Sequence, residues 1–376
     1  MFHHFDRTSG GPDFPRLSIS RALMRMALIL FSLTVASAED ETELLGPLRI
    51  RDMTPFNILR LDMLPAHAVA AGARSWAIEA DLSYTNTFVM SENVRNYLER
   101  RDSRRPLTQA DVDAILGLGE DAYYVDGEFG LLDLTFHYAI APDASVYFTL
   151  PAYSFTGGFL DGTIESFHNA IGNGAAGRDL AARDRFQTVL SMEGLHSSFL
   201  EAPIEGGLGD PVIGMRHFWR MGESRWGLVL DGAAKFALRG ERSLLSTGSN
   251  DFGLQASVQG KFWRQGIYFS TSLVQTDGRV FGVKLGSRVV PTLTTAYEVG
   301  LTGHTNFILQ LYASESALRN TRIEEIRANK YQASLGLRSH HGHMIYAFAV
   351  TENVANFENT PDVGASLTLA WVALKP

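Results

Sequence analysis

The stretch FLDGTIESFHNAIG, residues 159–172, sets Asp161, Glu165 and His168 at i, i+4 and i+7 of a short helix. Residues at that spacing share one helical face. Two carboxylates and an imidazole there could transfer protons, bind a metal or form ion pairs. As metal ligands the three are loosely spaced and would need donors from elsewhere, so no metal and no cofactor is assigned. Catalysis would need a nucleophile, and the nearest serine motif is His196-Ser197-Ser198, with Ser198 the candidate. A His-x-Ser pair with a base-orienting acid could hydrolyse a lipid ester, although such a tripeptide also arises by chance. On the other face, Ile164, Phe167 and Ile171 form an apolar stripe ended by Gly172, with Asp161 predicted as the N-cap. The stripe must pack on something, which makes a polar helix folded over an opening the plainer expectation.

What could position this helix depends on the rest of the chain. Residues 16–38 carry Arg16, Arg21 and Arg25, then an apolar run from Met26 to Val35, then Ala36-Ser37-Ala38. This is the plan of a secretory signal peptide. The run is shorter than the ~18 apolar residues of a membrane anchor. Residues 1–38 are therefore read as a removable signal, with Met24 an alternative start. Its removal takes away four arginines and two aspartates, moving the formal charge from −8 to −10. An acidic exported chain argues against nucleic acid as a partner. With no cysteine, it has neither disulfides nor thiol chemistry.

From Trp76 the sequence alternates, with Trp76, Ile78, Ala80, Leu82 and Tyr84 on one face and Glu79, Asp81, Ser83 and Thr85 on the other. Such alternation recurs until twelve segments are counted, the last at 362–373. Turns of a few residues, such as Pro142-Asp143 and Gly303-His304, alternate with long loops at 91–121, 154–209, 240–250, 277–290, 315–329 and 352–361. Short turns at one end, long loops at the other and an even number of strands predict a transmembrane antiparallel up-and-down β-barrel of about 12 strands. One short helix, that of Asp161, Glu165 and His168, sits in a long extracellular loop. All five tryptophans, at 76, 219, 226, 263 and 371, fall at the short-turn end, as an interfacial girdle would. A soluble β domain is the competing fold.

With the apolar face towards lipid, the inward set is Glu79, Asp81, Asp133, His137, Arg216, Asp231, Lys235, Arg239, Lys261, Glu298 and Arg338. Acids and bases balance, so a single-sign ion filter is not expected. Asp231, Lys235 and Arg239 are expected on one face of one strand, either guiding a solute or paired across the lumen. Pairing is favoured, and it would narrow the pore or close it until something moves. Residues 39–74, between signal and barrel, are a periplasmic segment that folds back as a plug or hangs as a tail; both readings stay open. The barrel proper spans 75–376.

Several motifs carry a resemblance: GPLRIRDMTPF at 46–56, the Asp-Gly-Glu of 126–128, GGFLDGTIESFHNAIG and the GGLGD of 206–210. Through them the chain resembles an uncharacterised DUF3187-like family of Gram-negative outer-membrane β-barrel proteins. The segment FALRGERSLLSTGSNDFGL, 236–254, also looks like the strand-loop-strand of several aromatic-compound and solute barrels. The resemblance implies the cell outer membrane and brings no established activity. Such barrels are expected to end on an aromatic residue, whereas here Trp371 is followed by VALKP. The expected partners are outer-membrane lipid, a small solute and the barrel-assembly machinery. The expected function is a narrow or gated channel or binding barrel for a small solute, apolar ones included. A lipid hydrolase using His196 and Ser198, and a structural or surface-binding barrel, are the alternatives.

Overall fold

The computed structural model describes residues 43–66, 75–119, 121–170, 177–192, 195–221, 225–240, 244–319, 321–355 and 363–373. The signal peptide and Met24 lie outside the described residues. Alternation becomes twelve long strands, β1 Trp76–Met90, β2 Ala122–Ala141, β3 Ala144–Thr156, β4 Val212–Arg220, β5 Trp226–Lys235 and β6 Asp251–Phe262 in the first half. The second half holds β7 Gln265–Thr276, β8 Arg288–Gly300, β9 Thr305–Ser314, β10 Lys330–His341, β11 Met344–Ala355 and β12 Val363–Ala373. Each pairs antiparallel with the next, and β12 returns to β1 in the register Trp76↔Ala373 through Asn86↔Val363. The sheet is a closed 12-stranded barrel and leaves no open edge among these strands.

The two faces are inverted relative to a soluble protein. On β6, Phe252 and Leu254 are 56% and 71% exposed, whereas Asp251 before them and Gln255 and Ser257 after them are buried. On β7, Ile267, Phe269 and Leu273 face out while Ser270 and Ser272 face in. Apolar side chains around the outside and polar ones within are favourable when the outside is hydrocarbon. At the short-turn end, Trp76 and Trp371 meet across the β1–β12 closure, tilted at 56° with ring centroids 4.8 Å apart. Trp219, Trp226 and Trp263 stand exposed at the same end, as the girdle expectation required.

At the other end the loops are folded. Helices α1 Glu92–Glu99 and α2 Gln109–Leu116 occupy the first long loop, in addition to the expected α3 Asp161–Ala170; a single turn, α4 Glu324–Arg327, lies later. Thr108 and Asp111 form a reciprocal capping box that starts α2. A hairpin of Gln187–Met192 and Leu195–Phe199 extends the sheet beside the upper end of β2. Phe88, Val94, Leu98, Ile115, Tyr124 and Val189 share one apolar cluster there, which buries α1 and α2 onto the tops of β1 and β2.

Residues 43–66 lie inside the barrel. Their backbone is bonded to inward side chains on several strands: Leu48 N donates to Gln310 on β9 at 2.9 Å, Leu61 N to Asp251 on β6 at 2.8 Å, and Gln255 donates to Met63 O at 2.6 Å. Two inward glycines make room for this segment. A Cβ at Gly253 would fall 2.5 Å from Met63 Sδ, and one at Gly336 would fall 2.9 Å from both Leu48 methyls. Gly253→Leu and Gly336→Leu should therefore unseat residues 43–66, by overpacking of about 1–3 kcal/mol, without opening the barrel. Limited proteolysis should cut the segment in both variants while heat-modifiable gel mobility stays wild-type; continued protection would contradict the close fit.

Candidate functional site

The segment in the lumen is basic where the wall is acidic. Arg49 Nε lies 3.2 Å from Glu79 and 3.6 Å from Asp81, both on β1. His137 of β2 meets the same Glu79 at 3.1 Å. Arg51 reaches Asp133 of β2 at 3.2 Å, and its second Nη donates to Ile58 O and Arg60 O. Asp52 reverses the sign: it pairs with Lys330 of β10 and with Arg60, 3.5 Å away, and accepts from Thr54 and Asn57. Near the short-turn end, Glu298 of β8 accepts the amides of Leu45 and Gly46 at 3.2 and 2.9 Å, while Arg338 donates to Gly46 O and Pro47 O. Arg60, Glu79 and Glu298 are wholly buried, so this level of the barrel is filled.

The expected inward residues take several roles. Glu79, Asp81, Asp133, His137, Glu298 and Arg338 are buried, in this network. Lys261 is more exposed and donates to Leu44 O at 2.6 Å. Asp231 pairs with Arg216 on the neighbouring strand at 2.8 Å and accepts from Tyr147 at 2.9 Å. Lys235 pairs with Asp251 at 2.9 Å and donates to Leu59 O at 3.0 Å. These groups pair with adjacent strands and with the inner segment, not across an empty lumen. Arg239 departs from the expectation. Strand β5 ends at Lys235, so Arg239 is an exposed loop residue and shares no strand face with Asp231 and Lys235.

The helix of the opening motif also differs from its sequence reading. Asp161 is the first residue of α3, not its cap, and with Glu165 it is buried, so neither offers a solvated face. Asp161 accepts from Arg178 at 2.6 Å, from Asn86 at 3.0 Å and from Asp184 N at 2.7 Å. Glu128, from the Asp-Gly-Glu motif, accepts from Tyr84 at 2.5 Å and from the amides of Phe159 and Leu160. These bonds tie α3 to β1 and β2. Glu165 is clamped by Arg183 and by Arg104, whose Nη2 is 2.5 Å away. His168 is half-buried on the next turn, and Ile164 packs inward as its stripe requires. Ile171 and Gly172 lie outside the described residues.

His196 and Ser198 lie on the outer strand of the loop hairpin, opposite Ser191 and Val189, and both are exposed. Among the described residues no acid is bonded to His196. Below the folded loops, Phe56 of the inner segment joins Phe129, Phe155, Phe186 and Phe281 in one large apolar cluster at the mouth. Sequence reasoning did not single out these aromatics, or Arg49, Arg51, Asp52 and Arg60. The charged run RIRD inside GPLRIRDMTPF was the available signal for Arg49, Arg51 and Asp52.

A polar lumen carrying a clamped inner segment, within an apolar exterior, can be set beside known proteins. The model of a family described as protein of unknown function, DUF3187, matches residues 23–372. The chain belongs to the DUF3187 family. No curated protein matches it. Among solved structures, the COG4313 outer membrane channel from Pseudomonas putida F1 is similar at a TM-score of 0.50 and 11% identity, covering 83% of this chain and 100% of that one. The NanC porin follows at 0.39 and 7%, covering 66% and 94%. The P. putida toluene transporter TodX gives 0.36 and 7%, covering 82% and 94%. At these identities the likeness is one of fold, and only the first is near enough in shape to support even that. The DUF3187 chain thus has the fold of an outer-membrane barrel channel.

The α3 clamp titrates. Hydrogen bonds and charge from Arg183 and Arg104 outweigh burial and hold the Glu165 carboxyl at about 2, against an ordinary 4.5. Its contribution is full above about pH 4.5 and is lost as pH falls towards 2. Half-exposed Arg183 is screened by solvent, so the clamp stabilises the loop less than an enclosed pair would. Glu165→Gln should make the 157–184 loop more protease-sensitive at pH 7, and the gap to wild type should close between pH 4.5 and 2. A gap that persists at pH 2 would place the effect elsewhere.

Proposed function

We propose that the chain is an outer-membrane barrel forming a narrow, gated route for a small solute, closed in this conformation by residues 43–66. The observation that carries this reading is the run of buried ion pairs from Arg49, Arg51 and Asp52 to β1, β2 and β10. They fill the lumen with charged groups that an immobile core could replace by hydrocarbon. Buried pairs add little net stability over well-packed apolar residues, yet they specify one seated position and can be exchanged for water when the segment moves. The inverted faces and tryptophan girdle support the membrane location, with lipid and assembly machinery as the partners of insertion. The aromatic cluster at the mouth supports a solute with apolar character.

The Asp52–Lys330 pair is the sharpest place to test this. Lys330→Met removes the ammonium from Asp52 and leaves a buried carboxylate short of a partner, at a cost of about 3–5 kcal/mol. In planar bilayers the wild-type protein should remain mostly closed, and Lys330→Met should raise the open probability tenfold or more. Equal, silent traces from two heat-modifiable barrels would favour a structural or surface-binding barrel instead.

A further inference from the structure

The loop between β7 and β8 turns inward as a small hairpin, Arg279–Val280 against Val283–Lys284, joined by Phe281 and Gly282 alone. Phe281 has φ +52° and Gly282 φ +79°, so both occupy the left-handed region. A two-residue turn of this kind favours Asn, Asp or Gly at its first position. For a bulky aromatic the same backbone is strained. Nothing in the turn requires phenylalanine, so the reason lies in what the ring touches.

The Phe281 ring is 2% exposed and sits among four other phenylalanines. Its centroid is 6.2 Å from Phe56 of the inner segment and 6.3 Å from Phe129 of β2, each edge-to-face at 83° and 89°. It is 6.5 Å from Phe186 and 6.4 Å from Phe199, both in the long loop between β3 and β4. Inner segment, wall and loop thus build a cage for one planar ring, with the edge-to-face partners such a ring prefers. The hairpin tip fills that cage with a residue its own backbone disfavours. Gly278 and Gly286 flank the hairpin with φ +96° and +75°. A cleft of about 220 Å³ lies beside its base, lined by Leu285, Gly286, Ser287, Arg288, Val289 and Arg319.

We propose that Phe281 occupies the binding site of a solute bearing a single aromatic ring, and that the 278–286 hairpin withdraws to admit it. The proposal rests on the gated-route reading and names its solute class. Backbone strain at Phe281 lowers the barrier to exchange, because relaxation of the turn offsets part of the aromatic packing that the ring gives up. A core phenylalanine in ordinary geometry would gain nothing by leaving. The ring that replaces it touches Phe56, so solute arrival is sensed by the segment that closes the lumen.

A disulfide lock tests this in the full chain, which has no cysteine of its own. A Cβ at Gly282 would lie 3.3 Å from Ser197 Cβ, just under the usual disulfide separation of about 3.5–4.5 Å. The Ser197→Cys/Gly282→Cys protein is refolded into liposomes, bridge formation is confirmed by mass, and swelling is measured in glucose and in phenyl β-glucoside. Gly282→Cys alone controls for strain at that position. When reduced, the protein should pass phenyl glucoside severalfold faster than glucose; when oxidised, that flux should fall tenfold or more and return on reduction. Phe281→Asn, which suits the turn and removes the ring, should raise flux of both solutes severalfold. Equal flux in oxidised and reduced protein, or wild-type flux in Phe281→Asn, overturns the hairpin's role. Equal flux of both solutes through the reduced protein overturns the aromatic class. No flux of either solute in any form, with a heat-modifiable barrel, refutes the gated route itself.

Discussion

A charge enclosed by a ring of strands must be paired, and this requirement organises the molecule. The wall of β1 and β2 presents Glu79, Asp81 and Asp133 to the interior, and unpaired carboxylates there would be very costly. Arg49 and Arg51 answer them, and Asp52 answers Lys330 from the far side. Arg49 and Arg51, two residues apart, reach acids on the adjoining strands β1 and β2. The seated position of residues 43–66 follows from these pairs and from backbone bonds to Glu298, Gln310 and Asp251.

The same requirement extends upward to the mouth. If α3 were lifted away, Glu128 would lose the amides of Phe159 and Leu160, and Asp161 would lose Asn86 and Arg178. The loops are therefore closed down by polar bonds at their rim and by aromatic packing at their centre. Phe56 is the point where the two systems meet, since it belongs to the inner segment and touches Phe281 of the mouth. Motion of the loop hairpin and motion of the inner segment share that pair of rings.

The barrel was legible in the sequence because period-two alternation is a local signal, and strand number, turn ends and girdle all follow from it. The burial of Asp133, His137, Asp231 and Lys235 was legible for the same reason. Their partners were not. Arg49 meets Glu79 thirty residues on, and Asp52 meets Lys330 278 residues away, a pairing set by barrel closure that no local pattern encodes. Arg239 failed because alternation continues past Lys235 in the sequence while strand pairing stops there. For α3, helical spacing correctly grouped Asp161 and Glu165, but the arginines that bury them, 104, 178 and 183, lie in other parts of the loops. The left-handed backbone of Phe281 leaves no trace in residue type, since phenylalanine is the residue least expected in such a turn.

Hydrogen–deuterium exchange of the refolded barrel, followed at residues 43–66, bears most directly on the central claim that paired charges seat this segment in the lumen. The amides of Leu45, Gly46, Leu48 and Leu61, bonded to wall side chains, should exchange as slowly as those of the loop-end barrel strands, and should speed up in Lys330→Met. Exchange at the rate of a free peptide in the wild-type barrel would mean that the segment is not held inside, and the account of a filled, gated lumen would fall.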